Sequence, residues 1–191
     1  MDKNEILSLC QGRRVFPIVE DINEQMIDEM QKMLFFMALS SPTDPVYLIF
    51  NTDGGNVSKA MVGYDFLKSL KIEVIGIVVG RCDSAGLILL AGCTKGKRLS
   101  LKHSRFLFHA ITSGIAIKST ENRKEGVRIF MDGHIRLCSD VANIYLAEFK
   151  MTKKVLTTIT NEGEFYDRKL FTDEAKKYGV IDEIVTELPF L

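Results

Sequence analysis

Two apolar runs constrain this chain's fold more than anything else in it. Val46 to Phe50 (Val-Tyr-Leu-Ile-Phe) and Ile72 to Val79 are short, rich in β-branched and aromatic residues, and lack polar alternation. Such runs read as strands covered on both faces, the pattern of parallel sheets. The first ends in Asn51-Thr52-Asp53-Gly54-Gly55 and the second in the turn formers Gly80 to Asp83. Helical periodicity follows each, from about Val57 to Leu70 and from Ser84 to about Gly92. Strand, loop and helix, repeated, is the grammar of right-handed βαβ crossovers. The expectation is an α/β protein of stacked βαβ units on a parallel sheet. Ligands of such sheets bind beyond the carboxyl ends of the strands. The loops carrying Gly54-Gly55 and Ser84 both lie there.

The flanking segments extend this pattern. Asp21 and Glu24 suit a capping box, and Ile22, Met26, Ile27, Met30, Met33, Leu34 and Met37 then recur at helical spacing to about Ser40. Pro42 and Pro45 stop that helix. Arg98 to Leu101 and Arg105 to His109 read as strands, and a last helix near Asp173 to Tyr178 leads through Gly179 to a strand from Ile181 to Val185. From about Glu121 to Lys150 the pattern is one helix, roughly 45 Å long if unbroken. Its stripe comprises Val127, Phe130, Met131, His134, Cys138, Val141, Ile144 and Tyr145. A helix longer than the body of the domain is expected to project; lying across the sheet is the alternative. No repeat or Pro/Gly linker divides the sequence, so residues 1–191 are expected to form a single domain.

Composition narrows the function. Lys and Arg number 25 and Asp and Glu 25, a formal charge of zero that argues against nucleic acid as a partner. No apolar run has the length of a membrane span, and the first residues lack the apolar core of a secretory signal, so no membrane association and a cytoplasmic location are expected. The four cysteines make no Cys-x-x-Cys pair and the histidines number three, so no metal site is expected and the thiols are read as free.

Candidate chemistry is dispersed along the chain. Gly92 to Arg98 fails the phosphate-loop pattern, with Ala at position 91 and Arg at 98. Cys82-Asp83-Ser84-Ala85-Gly86 lacks the first glycine of a Gly-x-Ser-x-Gly elbow. Ser84 nonetheless follows a buried strand and opens a helix whose first N–H groups can hold an oxyanion. By position alone it equally suits a plain N-cap serine, and position alone favours that. His109 ends an apolar strand, His103 stands in a turn beside Lys102, His134 lies on the long helix's stripe, and Asp167 sits in the polar stretch from Asn161 to Lys169.

Taken together, these residues resemble a known family from Glu5 to Val185. Asn51-Thr52-Asp53-Gly54-Gly55 matches an Asn-Ser-Pro-Gly-Gly loop, and Gly80-Arg81-Cys82-Asp83-Ser84-Ala85-Gly86 matches a Gly-x-Ala-Ala-Ser-Met-Gly nucleophile segment. Ala91 to Arg98 matches Ala-Gly-x-Lys-Gly-Lys-Arg allowing for one shifted small-residue pair, and Arg105 to His109 matches an Arg-x-x-x-His strand. Asp167-Arg168, then Glu174-Ala175 and Tyr178-Gly179-Val180-Ile181-Asp182, complete the match. The chain thus resembles ClpP, the proteolytic subunit of the Clp protease, a peptidase of the ClpP/crotonase-like fold.

That resemblance implies a serine endopeptidase cleaving unfolded polypeptides and peptides with a Ser84, His109 and Asp167 triad. The oxyanion hole would be the N–H groups of Gly55 and Ala85. It implies a homo-oligomer of heptameric rings, doubled into a tetradecamer through a handle region at about 112–150. It also implies an ATP-driven Clp unfoldase as supplier, with ATP used only by that partner and no cofactor in this chain. Asp53 stands where the family has proline, and Cys82-Asp83 where it has Ala-Ala, putting a carboxylate beside the nucleophile that is expected to point away. Three rival readings are a non-catalytic ring subunit modulating an active homologue, a Ser–Lys dyad using Lys95 or Lys97, and a crotonase acting on acyl-CoA.

Overall fold

The computed structural model describes residues 3–111, 123–161 and 168–190 of the chain. In order, the elements are α1 (Lys3–Gly12), β1 (Val15–Ile18), α2 (Glu24–Ser40), β2 (Val46–Thr52), α3 (Val57–Ser69), β3 (Val74–Asp83) and α4 (Ala85–Gly92). There follow β4 (Arg98–Leu101), β5 (Arg105–Phe108), α5 (Arg123–Glu148), α6 (Lys153–Asn161), β6 (Arg168–Phe171), α7 (Thr172–Lys177) and β7 (Glu183–Val185). Among the described residues the strands form one sheet, in the order β1-β2-β3-β4-β7, with β5 also on β3 and β6 on β5. Every pairing is parallel except β5 with β6. The fold is α/β on a mainly parallel sheet, as the apolar runs require.

The two runs become β2 and β3 at the centre of the sheet. Val46, Leu48 and Phe50 of β2 are fully buried, as are Ile77 and Val78 of β3. All eight residues of α4, Ala-Gly-Leu-Ile-Leu-Leu-Ala-Gly, are buried. Having no polar face, this helix must lie between layers, and it packs against both α3 and α5. Pro17 is tolerated in β1 because β1 is an edge strand.

Local details depart from the sequence reading for identifiable reasons. The N-cap of α2 is Asn23, whose Oδ1 accepts from the Met26 N–H at 2.9 Å, rather than Asp21. Ile22 is still extended, held by its N–H on the Gly54 carbonyl at 2.7 Å, so the helix starts later than a cap at Asp21 would allow. Residues Gly80 to Asp83, read as a turn, continue β3, because Arg81, Cys82 and Asp83 pair with Arg105, Phe106 and Leu107 of β5. β4 pairs with Gly76 to Val78, so β4 and β5 occupy successive stretches of the same edge of β3. Buried Ser104 lies between them and donates its hydroxyl to the Val78 carbonyl at 2.9 Å.

Helix α5 is about 39 Å long. Val127, Ile129, Met131 and Ile135 in its first half are exposed, while Val141, Tyr145 and, just after it, Phe149 are buried. Its stripe is thus used only toward the C-terminal end. The helix end is tied down by Arg98, which donates to the Glu148 carbonyl at 2.9 Å and pairs with Asp182 at 2.9 Å. Arg98 belongs to the segment that mimics a phosphate loop, and it serves as a buried strut instead. Of the handle region expected at about 112–150, residues 112–122 lie outside the described residues.

Candidate active site

The site forms where β2 and β3 end side by side. Thr52 closes β2, its hydroxyl accepting from the Gly54 N–H at 3.1 Å and donating to the Glu20 carbonyl at 2.8 Å. Gly54 and Gly55 then take φ of +102° and +141°, a region that disfavours side chains. Gly55 bridges Ile22, the bonds running from the Ile22 N–H to the Gly54 carbonyl and from the Asn56 N–H to the Ile22 carbonyl. That pattern uses the neighbours' polar groups, so the N–H of Gly55 itself faces the opposite way from Ile22. A Cβ at Gly55 would lie 2.5 Å from the Ile22 carbonyl oxygen.

Ser84 sits at the end of β3 with φ 52° and ψ −119°, strained for a residue with a side chain. Its N–H donates to the Leu107 carbonyl at 2.9 Å, which fixes the turn against β5. The residue occupies the N-cap position of α4, yet its side chain makes no capping bond. Its Oγ instead lies 2.6 Å from His109 Nε2. The hydroxyl is thus directed to the imidazole and not to the helix.

The strand register explains how His109 arrives there. Asp83 pairs with Leu107 in parallel, so the chain just past Leu107 runs beside the chain just past Asp83. Ser84 and His109, 25 positions apart, therefore meet at the same strand end. Both line a cavity of about 260 Å³ together with Gly55 and Ala85. Its other walls are largely apolar and include Ile88, Val141, Tyr145 and Leu156. The arrangement offers a hydroxyl, an imidazole to take its proton, and helix-start amides beside an apolar recess.

The charges nearby are paired. Asp83 does not line the cavity; its Oδ2 accepts from Arg105 Nη2 at 3.2 Å on the other side of the strand. Burial pushes its carboxyl above the ordinary value, with Arg105 pulling the other way. Asp53, in the proline position of the glycine loop, pairs with Arg81 at 2.6 Å. Burial likewise raises the Cys82 thiol and the Tyr145 hydroxyl beneath the site.

The remaining sequence candidates separate clearly. His103 is exposed, away from the cavity. His134 lines the cavity, with Cys138 Sγ 3.5 Å from its Nε2. Lys95 is engaged with the Ala147 carbonyl at 2.9 Å and Lys97 with Glu73 at 3.2 Å, so neither forms a dyad with Ser84. Asp167 lies outside the described residues. Sequence reasoning missed α6, whose Leu156 and Thr160 wall the cavity, although Val155, Leu156 and Ile159 carry a short helical signal. Among the described residues, no group of three or more His, Cys, Asp or Glu is arranged to hold a metal ion, and no helix is long and apolar enough to cross a membrane.

The α/β sheet thus brings a strained serine and a histidine together at its strand ends. The chain belongs to the Clp protease family, whose sequence model matches residues 2–188. It is similar to the ATP-dependent Clp protease proteolytic subunit 2 of Prochlorococcus marinus strain MIT 9312, with 30% identity over 173 residues, 91% of this chain and 81% of that protein. The protein of the same name from strain NATL2A is 29% identical over 182 residues, 95% of this chain and 87% of its own length.

Proposed function

We propose that this chain is a serine endopeptidase that cleaves unfolded polypeptides and short peptides through an acyl-enzyme. The observation that carries the reading is the 2.6 Å contact between Ser84 Oγ and His109 Nε2, made by a serine that forgoes its helix cap. Ser84 Oγ attacks the scissile carbonyl carbon while His109 Nε2 takes the hydroxyl proton. The carbonyl oxygen, now negative, accepts from the N–H groups of Ala85 and Gly55, each such donor lowering the barrier by about 2.7–4 kcal/mol. The amine leaves with the proton from His109, and water then hydrolyses the ester by the same relay. Asp167 is the proposed third member, orienting the imidazole and supporting its charge. The apolar wall of the cavity suits an aliphatic or aromatic side chain next to the scissile bond.

Family membership supports the proposal that the subunit works inside a heptameric ring, paired with a second ring. The relatives named above are ATP-dependent by name, which fits a Clp-type ATPase delivering unfolded chains to a closed chamber. The test compares wild type and Ser84→Ala on a fluorogenic short peptide. Loss of turnover in the variant is expected, and equal turnover removes Ser84 from the mechanism. Labelling of Ser84 by a fluorophosphonate is the second readout: a folded oligomer that never labels makes this a non-catalytic ring subunit.

A further inference from the structure

Asp83 is an awkward residue to find immediately before a nucleophile whose transition state is negative. Its side chain is 3% exposed, so water does little to screen it. The segment is also rigid: the Asp83 carbonyl oxygen would lie 2.7 Å from a Cβ placed on Gly54, and Ser84 is pinned to Leu107. An ionised, unbalanced carboxylate here would oppose negative charge building up on an oxyanion held by the neighbouring Ala85 and Gly55 N–H groups.

Arg105 provides the balance. It stands on β5 opposite Arg81, and its guanidinium reaches Asp83 at 3.2 Å through Nη2 and Oδ2 alone. Asp83 Oδ1 and Arg105 Nε are both buried without a hydrogen-bond partner among the described residues. The pair is buried on the Asp83 side only, the Arg105 side chain being 38% exposed, and a singly bonded, partly solvated pair of this sort adds little to the stability of the fold. What the pair does supply is local neutrality. Among the described residues, Asp53 adds a second negative charge near Asp83, Arg81 is taken by Asp53 at 2.6 Å, and Lys169 of β6, opposite Leu107, is exposed.

We propose that Arg105 is a positioning residue of the reaction that acts on charge: by neutralising Asp83 it leaves the Ala85 and Gly55 amides able to stabilise the tetrahedral intermediate. This rests on the serine-peptidase reading above. Arg105 touches no reacting atom and works through Asp83.

The experiment measures kcat and KM on a fluorogenic peptide for the assembled protein, with Ser84→Ala as control. Arg105→Gln is expected to lower kcat by roughly tenfold or more with little change in KM. Its kcat should fall further as pH rises and the partnerless Asp83 ionises. Adding Asp83→Asn to Arg105→Gln should recover most of the wild-type kcat, which repair of shape would not do. Unchanged kcat in Arg105→Gln, or a double variant no better than the single, overturns the proposal. Should Arg105→Gln not assemble, Arg105→Lys decides: it keeps the charge and should retain at least a third of the activity, and a folded Arg105→Lys with tenfold loss also overturns it. Wild-type turnover that survives Ser84→Ala would instead sink the serine reading, a separate result.

Discussion

Gly54 and Ser84 pack so closely that no methyl group fits between them: a Cβ on Gly54 would lie 2.8 Å from the Ser84 Cβ. It would also meet the Asp83 carbonyl oxygen at 2.7 Å, in a backbone conformation of φ +102° that side chains rarely adopt. The glycine loop is therefore the surface against which the nucleophile is moulded. Gly54→Ala should push Ser84 out of line with His109 and lower kcat/KM on the order of 100-fold. Peptide turnover and circular dichroism together check this, the latter showing a retained fold. Activity within threefold of wild type would mean that the loop gives way without disturbing the serine.

Asp182 is a second point of leverage, far from the chemistry. Its Oδ2 accepts from the N–H groups of Gly96 and Arg98 and from Arg98 Nε, and its Oδ1 from Arg98 Nη2 at 2.9 Å. Burial works to raise its pKa, but the Arg98 bonds outweigh that and hold the carboxyl below its ordinary 3.8. A lowered carboxylate stabilises the fold above its unfolded pKa and loses that contribution as pH falls through the folded value. Asp182→Asn should therefore cost roughly 3 kcal/mol near neutrality, leaving Arg98 buried without its charge partner. The gap in Tm between variant and wild type should close below pH 3.8. A pH-independent gap would assign the loss to shape and not to charge.

The thiols divide into two classes. Cys82 and Cys93 are buried, and burial raises both, Cys93 to about 12 and Cys82 well above its ordinary value. Cys10 and Cys138 are partly exposed. A thiol reagent at pH 8 should thus leave Cys82 and Cys93 unmodified in the native protein and label all four after denaturation. Peptide mass mapping reads the sites, and native labelling of Cys93 would contradict the packing of α4.

Glycines on two helices should respond in opposite directions. A Cβ on Gly63 of α3 would lie 2.5 Å from Leu89 Cδ2 and 2.8 Å from Ile27 Cδ1, so Gly63→Ala should destabilise by about 1–3 kcal/mol. A Cβ on Gly126 or Gly133 of α5 would meet no packed atom within 4 Å among the described residues, and alanine at either should stabilise the helix by about 1 kcal/mol. Thermal melts measure both. A fall in Tm for Gly133→Ala would reveal another chain seated against that face.

Some of this was readable from the residues and some was not. The wholly apolar α4 announces a covered layer because burial on all sides leaves no room for polar residues, whereas Val46 to Phe50 is fully buried on the face of Val46, Leu48 and Phe50 and only partly on that of Tyr47 and Ile49. The Ser84 to His109 spacing was readable only as a resemblance, since neither residue is distinctive by itself. Non-local pairing was invisible. β6 exists through its antiparallel contact with β5, and the last residues of β3 look like a turn until β5 is laid beside them. No local signal links Asp83 to Arg105, which lie 22 positions apart. Competition between near-equivalent side chains was equally hidden: Asn23 caps α2 because Ile22 is already committed to Gly54.

The forked edge of β3 makes the polypeptide's tolerance of indels lopsided. β4 and β5 share that edge, joined only by Lys102, His103 and Ser104, so the count of amino acids from Ser84 to His109 is a ruler. Adding or deleting one residue there would slide the imidazole a strand step of about 3.3 Å and turn it to the opposite face. That displacement exceeds the whole 2.6 Å separation between Ser84 Oγ and His109 Nε2. Relatives that keep the Ser84–His109 contact are therefore expected to keep the length of this interval.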